Sequence, residues 1–236
     1  MLFARSAPLP RGYGIGLDER VVEYPWLLPR VPRGRILDAG SALNHAHVLE
    51  RFLPRLDELH IVTLTPEPFS LDDPRITYTY ADLRDLPYPS AHFDAAVSVS
   101  TLEHVGMDMS VYGAAPARAE DPNPELQDAV RELLRVLVPG ATLLVTVPYG
   151  RREDHGWFRQ LDRDDLDTLL PAPATLDVYR YSSDGWQKSS LDAAAHERYH
   201  DHHADRTVPP DRAAAARAVA CLALQGGGGG GHSSSS

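Results

Sequence analysis

The sequence predicts an α/β fold in which a doubly wound, mostly parallel sheet is covered by helices on both faces. Three observations predict it. Short runs rich in β-branched residues alternate with amphipathic segments of helical period, which is the pattern of βα units. The runs are apolar throughout, as is typical of strands that are buried on both faces. Each run is closed by an acid, a glycine or other turn residues.

The central elements follow one another at short spacing. Five runs predict strands: 35–39, 59–65, 76–80, 93–100 and 141–147. Two amphipathic segments predict helices, over 44–53 and 125–137. Pro139 and Gly140 are residue types that commonly follow the last turn of a helix, so we expect the second helix to end just before them.

The flanking segments are less regular. Residues 1–16 are rich in Pro and Gly and predict a loose lead-in, followed by a short helix over 17–28 that Pro25 and Pro29 end or bend. Beyond residue 150 we expect a helix over 163–170, a strand over 176–181 and a buried strand or helix over 217–224. Residues 182–213 are polar and His-rich and predict an excursion over the surface, and the Gly/Ser tail over 225–236 predicts disorder.

Composition limits the function classes. The chain of 236 residues has a length suited to one large domain, which we place over 1–224. The net charge is −10, so the chain lacks the excess of basic residues with which proteins bind nucleic acids, and we expect no nucleic-acid partner. One cysteine excludes an intramolecular disulfide, and no uninterrupted apolar run approaches the length of a membrane span. The amino-terminal residues do not resemble a signal peptide, so we expect a cytoplasmic protein that acts without a membrane; its oligomeric state is open.

Three segments place polar groups at the ends of predicted strands. They are RILDAGSALN (35–44), YADLRDLPY (80–88) and FDAAVSVSTLEHVG (93–106). In open α/β sheets, ligands bind in the crevice outside the carboxyl ends of the strands, and a strand–turn–helix junction presents backbone N–H groups to them. Each segment by itself is equally consistent with ordinary turn geometry.

In this order and spacing, and together with RELLRVLVPG (131–140), these segments resemble the class I S-adenosylmethionine-dependent methyltransferases, in particular the type 11 group. The resemblance covers residues 34–150. It implies a Rossmann-like, seven-stranded sheet with an antiparallel closing hairpin, to which 217–224 would contribute a strand. It also implies a cofactor half over 34–150 and an acceptor and closing half over 151–224, with S-adenosyl-L-methionine as the cofactor.

The resemblance assigns roles to two groups of residues. Asp38, Gly40 and Ser41 would frame the pocket for the methionine part of the cofactor. The acid that holds the ribose hydroxyls in the family is expected at the end of the second strand, and Glu67 is the candidate here.

The remaining implied cofactor residues follow later strands. Asp82 would accept a hydrogen bond from the adenine amino group, and Leu83 would pack beside the ring. Ser98 and Ser100 would line the other side of the cofactor.

Methyl transfer to a hydroxyl requires an aligned acceptor and removal of its proton, and histidine titrates near neutrality. His104, after the fourth strand, and His155, in the acceptor half, are therefore the candidate catalytic residues. A capping role for the first and a surface position for the second are the alternatives. Glu103, Asp108 and Asp121 could join His104 around a divalent metal, but their spacing is not diagnostic and no metal site is predicted.

Short stretches, GWFRQLD (156–162) and YRYSSDGW (179–186), resemble methyltransferases of polysaccharide and natural-product pathways. We therefore expect O-methylation of a small molecule such as a sugar or secondary metabolite. The aromatic residues of these stretches would line the acceptor entrance or belong to the core.

Two other functions remain open. A nicotinamide-dependent oxidoreductase predicts a full GxGxxG turn, which the segment beginning at Gly40 does not supply. A catalytically inactive binding or scaffold protein with the same fold is motivated by Ala42 and Asn44, which stand where the family has its second and third glycines.

Overall fold

A computed structural model describes residues 3, 8–171, 173–200 and 215–226. Strands in these residues are β1 (Arg35–Ala39), β2 (Glu58–Thr63), β3 (Ile76–Tyr80), β4 (Phe93–Val99), β5 (Leu137–Pro148), β6 (Glu153–Asp154), β7 (Arg159–Gln160), β8 (Thr175–Ser182), β9 (Gly185–Ser189) and β10 (Ala218–Gln225). Helices are α1 (Arg20–Leu27), α2 (Ala46–Phe52), α3 (Pro122–Arg135), α4 (Arg163–Leu169) and α5 (Leu191–Ala194). The predicted Gly/Ser tail lies outside the described residues, apart from its first two positions.

The main sheet has the strand order β3-β2-β1-β4-β5-β10-β8-β9. β1 to β5 are parallel, whereas β10 runs antiparallel between β5 and β8. The predicted doubly wound sheet with an antiparallel closing hairpin is thus confirmed, and the run over 217–224 is a strand. The order reverses between β1 and β4, which opens a crevice at their carboxyl ends.

The predicted number of seven strands is wrong, because the described residues alone form a sheet of eight. The additional strand, β9, pairs antiparallel with β8 inside the segment that we expected to cross the surface. Its sequence GWQKS mixes polar residues with a single large apolar one, and Trp186 is fully buried. An edge strand of this kind has no periodic apolar pattern. Residues 201–214 of the same segment lie outside the described part of the chain.

Apolar side chains fill both faces of the sheet. On one face Ile36 and Val97 belong to the same cluster as Trp26 of α1 and Leu49 of α2. On the other face, the neighbouring strand residues pack with Leu126 of α3 and Leu166 of α4, among others. Successive strand residues point to opposite faces, which explains why the strands read as apolar throughout.

The boundary between α3 and β5 differs from the sequence-based prediction. The helix ends at Arg135, and the strand already begins at Leu137, so Pro139 and Gly140 lie inside β5 rather than at a helix stop. A register shift between β4 and β5 accommodates them. The helix also starts three residues earlier than predicted, at Pro122, after the side chain of Asp121 has capped it.

Helix α1 runs through Pro25 instead of ending there. A proline removes the N–H that would bind the carbonyl four residues earlier, here that of Val21. The phenolic hydroxyl of Tyr13 donates to this carbonyl at 2.8 Å and takes the place of the missing donor.

Residues 8–17, the N-terminal strap, lie against the β8–β9 hairpin. The amide of Gly12 donates to the Asp184 carbonyl, and the amide of Trp186 donates to the Tyr13 carbonyl, both at 2.8 Å. For residues 8–16 the prediction of a loose lead-in is therefore wrong, whereas residues 1, 2 and 4–7 lie outside the described part of the chain. The strap anchors the start of α1, which lies over the carboxyl ends of the central strands.

Candidate active site

The turn after β1 requires glycine at position 40. Gly40 has a φ of 105°, and its amide donates to the Val62 carbonyl at 2.8 Å. A Cβ at this position would lie 2.1 Å from Oγ1 of Thr101, well inside van der Waals contact. Ser41 follows with a φ of 62°, in the left-handed region that residues other than glycine adopt infrequently. The chain here makes a tight turn directly above the β1 and β4 ends.

Asp38 lies at the carboxyl end of β1 and is completely buried. One carboxylate oxygen accepts the amide of Leu43 at 2.8 Å. The other, Oδ1, is buried and has no hydrogen-bond partner among the described residues. Burial raises the pKa of this carboxyl to about 7. An unsatisfied buried acceptor of this kind indicates a place for a ligand donor.

Glu67 is exposed and held beside the same turn. Its carboxylate accepts hydrogen bonds from the hydroxyl of Ser41 and from the side-chain amide of Asn44, the latter at 2.9 Å. Asn44, at the family's third glycine position, also donates to the Phe69 carbonyl at 2.9 Å and accepts from the Tyr78 hydroxyl at 3.0 Å. The departure from glycine at this position therefore fixes the loop that carries Glu67.

Asp82 follows β3 and is paired with Arg84. The guanidinium donates to both carboxylate oxygens, at 2.9 and 2.5 Å, and holds the pKa of this carboxyl below its usual range. Arg84 also pairs with Glu125 at the start of α3. Oδ1 also accepts the backbone amide of Arg84 at 2.9 Å, so Oδ2 is the oxygen that can still accept from an additional donor. Leu83 is buried next to it, 7% exposed, in the core.

The end of β4 contributes two serines whose surroundings differ. Ser98 is completely buried, and its hydroxyl has no partner among the described residues. Ser100 has a φ of 43°, and its hydroxyl donates to Glu23 at 2.7 Å. The hydroxyl of Thr146, on β5, donates to the same Glu23 oxygen at 2.6 Å.

Helix α1 thus brings charged residues into the site that sequence reasoning missed. Glu23 is completely buried and forms an ion pair with Arg20. The hydroxyl of Tyr24 donates to the Ala42 carbonyl at 2.7 Å and ties α1 to the turn after β1. Charged residues on a short amphipathic helix normally indicate a solvated face, so nothing in their spacing marks them. Only the docking of α1 across the strand ends reveals them.

Two residues follow β4 in a short 3-10 turn. Glu103 is 2% exposed, its Oε2 has no partner among the described residues, and burial raises its pKa well above the usual range. His104 is partly exposed, and its Nδ1 lies 2.9 Å from the Trp157 carbonyl oxygen. Because a carbonyl can only accept, Nδ1 carries the proton and Nε2 has the free lone pair. Burial lowers the pKa of His104 to about 4, which keeps the ring neutral.

Aromatic rings surround His104. Its ring centroid lies 5.1 Å from Trp157 and 5.8 Å from Tyr112. His155 lies in the β6–β7 hairpin, stacked on Phe158 at 4.5 Å, and Phe158 in turn lies 5.9 Å from His104. The two predicted histidines therefore contact the same phenyl ring from different directions.

The other aromatic residues singled out in the sequence are Tyr179, Tyr181 and Trp186, and they are core residues beneath the N-terminal strap. Of the predicted acceptor-entrance residues, the structure brings Trp157 and Phe158 to His104. In the described part of the chain, no group of three or more His, Cys, Asp or Glu side chains is placed to hold a metal ion. No helix of that part is long and apolar enough to cross a membrane.

Comparison with known proteins agrees with this geometry. Residues 63–145, from the end of β2 through most of β5, match the family described as the methyltransferase domain. The predicted resemblance to the class I methyltransferases is thus confirmed for residues 63–145. The match includes Asp82, both serines at the end of β4, and His104.

The methyltransferase domain has relatives of different specificities. Over 137 residues it is 26% identical to the 27-O-demethylrifamycin SV methyltransferase of Amycolatopsis mediterranei (strain S699), an alignment that covers 50% of this chain and 44% of that enzyme. The chain thus aligns with less than half the length of that curated relative.

Solved structures confirm the fold. The 1,6-didemethyltoxoflavin-N1-methyltransferase of Burkholderia thailandensis, crystallised with its substrate and S-adenosylhomocysteine, superposes with a TM-score of 0.51 at 12% identity, covering 88% of this chain and 76% of that one. The [4+2]-cyclase SpnF superposes with a TM-score of 0.52 at 22% identity, covering 87% and 80%. The fold of the methyltransferase domain therefore serves more than one kind of reaction.

The strand ends of the methyltransferase domain suit S-adenosylmethionine in two respects. Gly40 lets the backbone approach closely where a side chain would collide with Thr101. The buried Oδ1 of Asp38, which lacks a partner among the described residues, offers an acceptor at the carboxyl end of β1. A cofactor with an ammonium group and hydroxyls would satisfy such an atom.

Proposed function

We propose that this protein transfers the methyl group of S-adenosylmethionine to a hydroxyl oxygen of a small-molecule acceptor. The observation that carries the proposal is the fixed tautomer of His104, whose Nε2 lone pair is available beside the crevice that contains Asp38 and Gly40. A neutral imidazole in this state can accept the proton of an acceptor hydroxyl.

Three side chains would hold the adenosine part of the cofactor. Asp82 would accept from the adenine amino group, and Leu83 would pack against the ring. Glu67, positioned by Ser41, would bind the ribose hydroxyls. When bound, S-adenosylmethionine supplies an electrophilic methyl group on a sulfonium.

Ser98 and Asp38 would line the inner wall of the same crevice. Both are completely buried, and each has an oxygen without a partner among the described residues. Because an unsatisfied buried polar atom is costly, these oxygens favour a bound ligand that supplies donors.

His104 would orient the acceptor and take its proton. The hydrogen bond from Nδ1 to the Trp157 carbonyl fixes the plane of the ring, and the low pKa keeps Nε2 unprotonated at neutral pH. The rings of Tyr112 and Trp157 pack against the imidazole. Positioning of the hydroxyl at the reacting distance is a large part of the rate gain in such a displacement.

The surroundings of His104 support a small and largely apolar acceptor. Val111 is 63% exposed and Tyr112 is 52% exposed, so the entrance presents apolar surface to solvent. Exposed apolar surface beside a reactive group commonly marks a ligand-binding region. The name of the Amycolatopsis relative, an O-methyltransferase of a rifamycin, fits an acceptor of the secondary-metabolite class.

Calorimetric titration with S-adenosylmethionine and S-adenosylhomocysteine tests the cofactor site. We expect micromolar binding that is weakened about 10-fold or more in Asp82→Ala, because the hydrogen bond that the adenine amino group donates to the carboxylate is lost. Asp85→Ala, which removes an exposed carboxylate of the same loop, is the matched control. Binding would then justify a screen of hydroxylated acceptors by the appearance of S-adenosylhomocysteine.

The second candidate is a protein with the methyltransferase fold that does not transfer methyl groups. The likeness to a cyclase and the replacement of two glycines by Ala42 and Asn44 favour it. A folded protein that binds neither cofactor form would support this candidate and exclude methyl transfer. Tight binding without turnover on any acceptor of the screen would support a binding role.

A further inference from the structure

We infer that the acceptor is a phenol, a planar aromatic compound whose ring packs against Tyr112 and Trp157 while its hydroxyl bonds to Nε2 of His104. This inference rests on the proposed methyl transfer and names the chemical class of the acceptor. The rings that surround His104, and the contacts that hold those rings in place, carry it.

Tyr112 is exposed and at the same time held by its neighbours. It ends a 3-10 turn, Ser110–Tyr112, and its amide donates to the Met109 carbonyl at 3.0 Å. Its carbonyl accepts from the hydroxyl of Thr65 at 2.9 Å, which joins this turn to the loop after β2. Even so, 52% of the residue is exposed. Tyr112 therefore presents a preformed aromatic surface beside the base.

Trp157 provides a second aromatic surface. The amide of Asp108 donates to the Gly156 carbonyl at 3.2 Å, so the segment before Tyr112 is tied to the hairpin that carries Trp157. The ring centroids of Tyr112 and Trp157 lie 5.8 Å apart. Contacts from the loop after β2 and from the β6–β7 hairpin thus fix one pair of aromatic rings beside His104.

The orientation of the imidazole suits a flat acceptor. A hydrogen bond to Nε2 lies in the plane of the imidazole, because the lone pair of that nitrogen lies there. The plane of Trp157 is 30° from this plane, and that of Tyr112 is 88° from it. An aromatic ring that continues the imidazole plane would therefore meet Trp157 in a nearly stacked arrangement and Tyr112 in an edge-to-face one. Aromatic pairs prefer these two arrangements, and a saturated ring gains neither.

The acidity of the acceptor hydroxyl points to the same class. Burial lowers the pKa of His104 to about 4, so the neutral ring is a weak base. A phenol ionises with a pKa of about 10, whereas water, whose acidity is close to that of an aliphatic alcohol, has a pKa of about 15.7. A weak base removes the more acidic of these protons more readily.

The transfer step balances with these groups alone. The phenolic O–H bond breaks and its proton goes to Nε2 of His104. The phenolic oxygen forms a bond to the methyl carbon, and the electron pair of the broken C–S bond stays on the sulfur. The products are an aryl methyl ether, S-adenosylhomocysteine and a proton that His104 releases to solvent.

Calorimetric titration with two probes of one carbon skeleton tests the acceptor class. 2-Naphthol is planar and phenolic, and 2-decalol is its saturated alcohol. Both are titrated into the protein saturated with S-adenosylhomocysteine, so binding is measured without turnover. We expect 2-naphthol to bind about 10-fold more tightly, because only the planar ring makes both aromatic contacts.

Variants of Tyr112 show whether its ring causes this preference. Tyr112→Leu should weaken the binding of 2-naphthol about 3- to 10-fold and change that of 2-decalol by less than about 2-fold. Tyr112→Phe keeps the ring and should keep the preference. Tyr80→Leu is the matched control, because it removes a tyrosine that is 56% exposed on the edge strand β3, and it should change neither affinity.

Loss of the preference in Tyr112→Leu, together with its retention in Tyr112→Phe, supports the assignment. Equal binding of the two probes, or a preference that Tyr112→Leu leaves unchanged, overturns it, as does tighter binding of methyl glucoside than of 2-naphthol. If the unchanged protein does not bind S-adenosylhomocysteine, the proposed function fails and this inference fails with it. Failure of the inference alone leaves cofactor binding intact, so the two results are distinct.

Discussion

The imidazole Nδ1 of His104 lies 2.9 Å from the carbonyl oxygen of Trp157. Since the carbonyl accepts, the bond selects the tautomer in which Nε2 can take a proton. The relationship joins the turn after β4 to the β6–β7 hairpin, and so links the cofactor half of the domain to the half predicted to bind the acceptor.

Replacement of His104 by alanine tests its role as the base. We expect turnover of a hydroxyl acceptor to fall about 100-fold or more, the usual contribution of a positioned base, while the affinity for S-adenosylhomocysteine is unchanged. His155→Ala is the matched control, because this ring lies behind Phe158, and we expect it to retain most of the turnover. Comparable activity of the two variants would exclude His104 as the base.

The low pKa of His104 predicts an unusual pH profile. An ordinary histidine base loses activity below about pH 6.5, whereas a pKa of about 4 leaves this ring neutral down to about pH 5. We therefore expect turnover at saturating cofactor to be nearly constant between pH 5.5 and about 7. A steep fall centred near pH 6.5, in a protein that circular dichroism shows to be folded, would contradict the assigned environment of the ring.

Burial of Asp38 predicts that its charge opposes folding. Its native pKa of about 7 exceeds the ordinary value of 3.8, so the native state holds a proton that the unfolded state loses. The stability from this group is present below about pH 4 and is lost as the pH rises to about 7. Relative to Asp38→Asn, which mimics the neutral acid, the unfolding free energy of the unchanged protein should fall by as much as about 4 kcal/mol over this range.

Urea denaturation of both proteins at several pH values measures this difference. The asparagine keeps an oxygen for the Leu43 amide, so the comparison isolates the charge. A difference that does not depend on pH would show that Asp38 is ionised in the native state throughout.

Gly40→Ala should abolish cofactor binding and destabilise the fold. The methyl group would lie 2.1 Å from Oγ1 of Thr101, and a φ of 105° is unfavourable for any side chain. Gly140→Ala is the control, because its φ of 80° is also positive but no atom lies within 4 Å of the added carbon. We expect the control to lose about 1 kcal/mol and to bind S-adenosylhomocysteine normally. Equal thermal stability of the two variants would refute the close approach.

The sequence predicts the central sheet well, because β1 to β5 are buried on both faces and each is a short apolar run. The edge is harder to predict. In β9 a single large side chain, that of Trp186, is buried. On the side away from β8 the strand meets the strap rather than another strand of the sheet, so no periodicity appears. Pro139 and Gly140 were misleading for a related reason, since a bulge in β5 uses the residues that usually terminate a helix.

Site residues can be predicted from the sequence where they belong to a motif within one continuous segment. Asp38 lies near the end of β1, Gly40 directly follows that strand and Asp82 follows β3 by two residues, so all three lie at the carboxyl edge of the sheet. Arg20 and Glu23 could not be found in this way. Their position depends on contacts between α1 and strands more than 75 residues away, and the local pattern gives only an amphipathic helix.

The N-terminal strap has a consequence for the order of assembly. Residues 12 and 13 bond to residues 184 and 186. During synthesis the strap leaves the ribosome long before the β8–β9 hairpin exists, and loop closure over such a separation is slow. The first described segment to be made is thus among the last to reach its native partners. Helix α1 covers the crevice only when the strap has docked, so the crevice is completed by a hairpin that lies more than 150 residues further along the chain.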